Sequence, residues 1–255
     1  MGRVLAVISQ KGGVGKTTTA INVAAGLALR GVKTLIVDAD PQGSVRFGLG
    51  LFGNEYRVGL SDFLSGACDL HEIVYPTMLP WLRAVLAGTV SDDGDHDSYH
   101  HRFASSPMVR TVVDRARERG YVVVIDTPPG LGLIAHAVLQ MSDDVVVPLQ
   151  CEPLALQTTS QILRGVRAAL ADNADLTFDG ILLTMYEAQN PASDRVASFV
   201  RSQLPKELVF DVAIPRTDAS IEAFAAGQPI VVRAPDDPAA RAYEALAGQL
   251  ANRLR

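Results

Sequence analysis

The amino-acid sequence predicts a doubly wound α/β fold, a mostly parallel sheet with helices on both faces. Three observations carry this. Short Val/Ile-rich runs alternate with helix-like stretches along the whole chain, the order expected of strands linked by crossover helices. The strand candidates are nearly continuous apolar runs, Val122-Val123-Val124-Ile125 being the clearest, as strands buried on both faces must be. The first apolar run also passes through a glycine-rich turn directly into a helix-like run.

In chain order, strands are expected at residues 4–9, 34–38, 82–86, 121–126, 144–149, 180–185 and 209–213. Helices are expected at 17–30, 107–119, 131–140, 154–171, 193–203, 219–226 and 238–255. No internal repeat and no long linker divides the chain, so 1–255 is read as a single domain, an ordinary size for one α/β unit. One stretch breaks the rhythm: residues 88–101 hold four Asp and three of the five His. Their spacing matches no metal-ligand pattern, and a mobile, solvated loop is expected there.

Composition narrows the function. The chain is 48% hydrophobic but only 6% aromatic, so the core is to be built from Val, Leu, Ile and Ala. A formal net charge of -5 excludes global attraction to nucleic acid; any such contact needs a local patch. Cys68 and Cys151 make no metal or redox spacing and read as inert thiols in a reducing cytoplasm. No signal-like segment or membrane-length apolar run is visible.

The chemistry is densest at Lys11-Gly12-Gly13-Val14-Gly15-Lys16-Thr17-Thr18. Strand, glycine loop and helix form the context that a phosphate-binding loop requires. Glycines let backbone N–H groups close around phosphate oxygens. Lys16 can reach the β- and γ-phosphates, the Thr17 hydroxyl can join a Mg²⁺ shell, and the helix N-terminus favours the anion. The loop departs from G-x-x-x-x-G-K-[ST]: Gln10 occupies the first glycine position, and a second lysine, Lys11, stands five residues before Lys16. A simple nucleotide cradle has no use for it.

Two further strand ends carry carboxylates. Asp38 and Asp40, in Leu35-Ile36-Val37-Asp38-Ala39-Asp40-Pro41-Gln42-Gly43, point to one side of a strand and would face the loop. There they can hold Mg²⁺ waters or orient an attacking water; Asp-Pro-Gln-Gly is equally good turn chemistry. Asp126 ends the strand Val122–Asp126 as a Walker B carboxylate does, serving Mg²⁺ directly or through water. Asp143 and Asp144 receive no role.

Together these segments resemble the ParA/MinD family of deviant Walker A ATPases. Alongside the loop, Val37-Asp38-Ala39-Asp40-Pro41-Gln42-Gly43 and Ile125-Asp126-Thr127-Pro128-Pro129-Gly130-Leu131-Gly132, the match extends to Val147-Pro148-Leu149-Gln150-Cys151-Glu152-Pro153-Leu154-Ala155-Leu156, Leu182-Leu183-Thr184-Met185-Tyr186 and Ala213-Ile214-Pro215-Arg216. It runs through nearly the whole chain and is nearest to the short, Soj-like ParA branch. The resemblance implies ATP and Mg²⁺ as cofactors and a homodimer that forms on ATP. Lys11 would reach into the partner's site, Asp40 would position water, and Met185 and Pro215 would flank the adenine. It also implies slow hydrolysis stimulated by a ParB-like partner, nonspecific DNA binding, and a cytoplasmic, nucleoid-associated protein that segregates a chromosome, plasmid or other cargo. Arg164, Arg167, Arg195, Arg201, Lys206 and Arg216 are the candidates for the DNA face.

The chain departs from short relatives where they carry further arginines. Thr217-Asp218-Ala219 follows Arg216, and Glu187-Ala188-Gln189-Asn190 follows Tyr186. From residue 151 onward there are 10 basic and 13 acidic residues. Two other readings therefore stand beside DNA binding: a positioning ATPase for a protein cargo, and a MinD-like membrane switch. The Ala-rich end, 239–255, lacks Phe and Trp and reads as a packing helix, so no stable membrane anchor is expected.

Overall fold

The computed structural model describes residues 2–90 and 95–254. Its elements begin with β1 (Val4–Val7), α1 (Lys16–Leu29), β2 (Thr34–Asp38), α2 (Val45–Gly48), α3 (Leu60–Leu64), β3 (Val74–Pro76) and β4 (Leu82–Val85). There follow α4 (Asp95–Ser105), α5 (Pro107–Glu118), β5 (Val122–Asp126), α6 (Leu133–Met141), β6 (Asp144–Gln150) and α7 (Ala155–Asp172). The chain closes with β7 (Thr177–Tyr186), α8 (Pro191–Gln203), β8 (Val209–Pro215), α9 (Asp218–Ala225), α10 (Ile230–Arg233) and α11 (Pro238–Arg253).

The strands form one sheet in the order β3-β4-β2-β5-β1-β6-β7-β8. All described pairings are parallel except β3 with β4 at the edge. All seven expected strands are present. The three-residue β3 was not expected, being too short to show a period. In β1, β2 and β5 every residue is buried, and successive side chains alternate between the two covered faces. In β5, Val123 and Ile125 join the core beneath α3 to α8, whereas Val122 and Val124 join the one beneath α1, α2, α9, α10 and α11. The doubly wound expectation therefore holds in detail.

Helix α1 is buried along most of its length, and its small residues let α11 approach closely. A Cβ placed on Gly26 would lie 2.6 Å from the Cβ of Ala247. Asp237 and Asn190 cap α11 and α8 by accepting the N–H groups of Ala239 and Ala192, each helix with Pro in its first turn.

The loop expected at 88–101 is corrected in its second half. Residues 91–94 lie outside the described residues, but Asp95 begins α4. Tyr99 and Phe103, four apart and so on one helical face, are 0% and 1% exposed in the core. That aromatic pair outweighs the polar composition around it.

Asp143 and Asp144, left without a role, turn out to be structural. Arg3 binds Asp144 through two hydrogen bonds, of 2.8 and 3.0 Å. Asp143 accepts from Arg117 and from the backbone N–H of Val4. Asp179 is the extra residue of a bulge between β6 and β7, since Val145 pairs with Phe178 and Val146 with Gly180. It accepts a 2.7 Å hydrogen bond from Arg253 near the end of α11.

Candidate functional site

The carboxyl ends of β1, β2 and β5 converge because β2 and β1 flank β5 in register: Val7 and Asp38 both pair with Asp126. In a sheet of this kind ligands sit at that edge, and the glycine loop leaves β1 there. Gly13 and Gly15 have φ of +76° and +81°, a region closed to most side chains. Gly15 is also the N-cap of α1, so the loop ends at the helix N-terminus and its dipole. Two bonds pin the loop from beneath. The Ser9 hydroxyl donates to the Lys11 carbonyl and the Thr184 hydroxyl to the Val14 carbonyl, each at 2.8 Å. Buried Val14 anchors the turn.

Lys16 is 7% exposed. Its ammonium donates to Asp126 Oδ1 at 3.2 Å and stands 3.9 Å from Asp40 Oδ2. Burial raises the Asp126 carboxyl above its ordinary range; the Lys16 charge and the Thr17 hydroxyl oppose that rise. Asp38, wholly buried, is raised well above its ordinary value by desolvation first and by Asp126 next. A cavity of about 390 Å³ opens above this group, lined by the loop from Lys11 to Thr18 together with Asp40, Gln42, Ser44 and Pro129.

The expected metal residues divide. Both oxygens of Asp38 accept backbone N–H groups, from Asp40 at 3.2 Å and Val45 at 3.0 Å. Asp38 is therefore a strut for the turn that presents Asp40, and backbone donors occupy the position expected to serve Mg²⁺. Asp126 keeps Oδ2 buried and without a hydrogen-bond partner among the described residues. Asp40 and Asp126 facing one ammonium, with Asp38 buried behind them, favour a dication in electrostatic terms. Among the described residues no three His, Cys, Asp or Glu side chains converge as a cage. That suits Mg²⁺, which retains waters and binds phosphate with few protein ligands. Thr17 and Asp126 are the groups that fit it.

Beside the loop lies a second cavity, of about 370 Å³, with Met185 and Pro215 in its wall. Met185 has φ +50°, rare for a non-glycine residue, and its Cε would lie 3.8 Å from a Cβ on Gly15. Phe224 and Tyr243 complete the wall from α9 and α11. The cavity is mainly apolar and continuous with the phosphate space through Gly15, Thr18, Met185 and Phe224, the shape that a nucleobase requires.

Lys11 stands apart from this cluster. Its side chain is 34% exposed at the cavity's outer edge, and its ammonium lies 3.5 Å from Glu152 Oε1, on the loop after β6. Glu152 lies in a stretch matched to the family but received no role in the sequence reading, because the two residues are 141 positions apart.

The six candidate cations come from α7, α8 and the two ends of β8. Arg164 and Arg167 share one side of α7 and are exposed. Arg195 and Arg201 project from different sides of α8, and Arg201 donates to the Asp211 carbonyl at 3.3 Å. Lys206 precedes β8 and Arg216 follows it, so a whole strand separates them. Glu187 approaches Arg216 at 3.5 Å.

A glycine loop entering a helix, a lysine among strand-end carboxylates and an adjoining base cavity define a P-loop nucleoside triphosphatase, and Lys11 marks the deviant Walker A type. A family model described as an AAA domain matches residues 2–178. The chain is 36% identical over 256 residues to the chromosome partitioning protein ParA of Caulobacter vibrioides, covering 99% of this chain and 95% of the relative. The cell division ATPase MinD of Pyrococcus furiosus superposes with a TM-score of 0.80 at 25% identity, covering 99% of both chains. Cobyrinic acid a,c-diamide synthase of Mycobacterium smegmatis with bound ADP and magnesium gives 0.78 at 30% identity, covering 98% of this chain and 94% of that one. The chain belongs to the ParA/MinD family of deviant Walker A ATPases.

Proposed function

We propose that this ATPase is a ParA-like switch that dimerises on ATP, with Lys11 completing the site of a second subunit. ATP and Mg²⁺ are its cofactors. The observation that carries the reading is the division of labour between the two lysines. Lys16 is enclosed among Asp40 and Asp126, whereas Lys11 faces outward beside the phosphate cavity and, among the described residues, is paired only with half-exposed Glu152. An ammonium at the outer edge of one site is free to serve another. Exposed Leu133, the first residue of α6 after β5, and Leu154, the N-cap of α7 after β6, lie at the same sheet edge; a facing subunit would cover them.

Within the site, Lys16 exchanges its carboxylate contacts for phosphate oxygens, and the loop N–H groups hold the remainder. Bound Mg²⁺ supplies neutralising charge on the phosphate oxygens. Asp40 borders the cavity and is the carboxylate that orients water. Lys11, arriving from the partner, neutralises charge on the transferring phosphoryl group as an arginine finger does. Dimerisation then depends on the γ-phosphate, and slow hydrolysis, accelerated by a ParB-like partner, reverses it. In sedimentation with ATP and Mg²⁺, wild type is expected as a dimer and Lys11→Ala as a monomer. An undiminished Lys11→Ala dimer would overturn the reading.

Nonspecific DNA, through Arg164, Arg167, Arg195, Arg201, Lys206 and Arg216, is the surface that we assign to the dimer, in a cytoplasmic, nucleoid-associated role of segregating a chromosome, plasmid or other cargo. The Glu187–Arg216 pair favours a protein cargo as the second reading. Among the described residues no helix is long and apolar enough to cross a membrane. A mobility-shift series with the ATP form tests the DNA assignment: affinity is expected to fall steeply with salt, because phosphate contacts release counterions. No binding at low salt would replace DNA with the protein cargo.

A further inference from the structure

The largest cavity among those described in the molecule, about 500 Å³, lies at the opposite end of the sheet from the phosphate loop. It opens between α5 and the 3-10 turn Leu70–Ile73, over the starts of β2 and β4. Its floor is apolar, from Leu35, Phe63, Val112 and Ala116. Its polar lining is dominated by three guanidinium groups, Arg83, Arg115 and Arg119.

Arg83 is the informative one. It is the second residue of β4, between Leu82 and Ala84, which both pack into the other face's core. Strand alternation therefore aims Arg83 at the face where Leu35, Phe63 and Val112 pack, and it is half-buried there. Charged side chains in such positions are normally paired. Among the described residues neither Arg83 nor Arg115 nor Arg119 has a hydrogen bond or ion pair from its side chain. Arg115 and Arg119 are four apart, with Thr111 four before, so one stripe of α5 lines the cavity. Like charges at that spacing are unfavourable without a counter-charge. The helix C-terminus accommodates Arg115 and Arg119 but leaves Arg83 unexplained. The one acid in the lining, Asp69, makes no ion pair with them among the described residues; its backbone carbonyl accepts the Glu72 N–H at 3.0 Å, and its own N–H donates to Glu72 Oε2 at 2.7 Å. Neighbouring Arg117 faces away, to Asp143 and the Gly2 carbonyl.

We infer that this cavity binds a small amphiphilic organic anion, its carboxylate, sulfonate or phosphate among Arg83, Arg115 and Arg119 and its apolar body on Leu35, Phe63 and Val112. The guanidinium forks suit planar or tetrahedral oxyanions, and the floor suits a ring or short chain. The cavity shares no residue with the phosphate or base cavities, so occupancy need not compete with ATP.

The test uses 8-anilinonaphthalene-1-sulfonate as probe on the full chain saturated with ATP and Mg²⁺, which blocks the base cavity. Saturable fluorescence from one site is expected. Arg83→Gln and, separately, the surface variant Arg115→Gln/Arg119→Gln are expected to weaken it by about tenfold or more, as loss of a charged hydrogen bond does. ATP affinity should stay unchanged. The uncharged analogue N-phenyl-1-naphthylamine should bind at least about tenfold more weakly for the same reason. The proposal is overturned if no probe binding survives ATP saturation, if both variants bind the probe as wild type does, or if the uncharged analogue binds equally well.

Discussion

Lys16 faces a group of carboxylates, Asp40 and Asp126 directly and Asp38 behind them, in a setting too buried for water to share the charge. Asp40 is the member that borders the cavity, and the proposed reading gives it work on water rather than on ATP binding. Asp40→Ala is therefore expected to leave ATP affinity within a few-fold of wild type and to lower turnover by about 10²–10⁴-fold, the usual range for a positioned base. Paired nucleotide-binding and single-turnover measurements check both halves. Far from the site, Asp179 offers a test by pH. Burial pushes its carboxyl up to about 6, against an ordinary 3.8. A folded pKa above the unfolded one means that the folded state binds the extra proton. Stability from this group therefore rises as pH falls from about 6 toward 4 and is lost as pH rises through 6. Relative to Asp179→Asn, wild type is expected to gain on the order of 2–3 kcal/mol over that interval in denaturant melts. A parallel pH dependence in the two proteins would contradict the assignment.

At the scale of elements, α4 is where composition misleads and spacing informs. Its histidines and aspartates read as solvated, and only the i, i+4 pair Tyr99 and Phe103 betrays a buried face. The Tyr99 hydroxyl is buried with no hydrogen-bond partner among the described residues. Tyr99→Phe is expected to hold or raise stability, by up to about 1 kcal/mol, since an unsatisfied polar group is removed. Tyr99→Ala should cost about 3–5 kcal/mol. Thermal melts of the pair separate a packing helix from a loop, for which both changes would be near neutral. The phosphate loop was legible because its residues are consecutive and its chemistry needs that spacing. Met185 and Pro215 were legible as strand ends matched to a family pattern. Phe224 and Tyr243 were not, because each reaches the site from an element distant in sequence.

For the whole molecule, alternating apolar runs and helices were enough to read a parallel sheet covered on both faces, since both cores leave continuous hydrophobic strands in the sequence. The antiparallel edge β3 was not readable, because a three-residue strand has no period. The basic cavity at the far end of the sheet was hidden because Arg83, Arg115 and Arg119 meet only after β4 and α5 pack. The central claim is that Lys11 works in a partner's site. Mixing Lys11→Ala with Asp40→Ala, each inactive alone, tests it by ATP hydrolysis. In a mixed dimer the Lys11→Ala subunit keeps its own Asp40 and receives Lys11 from the other chain. The account predicts hydrolysis well above the sum of the two separate proteins; no gain at any mixing ratio, with mixed dimers present, would contradict it.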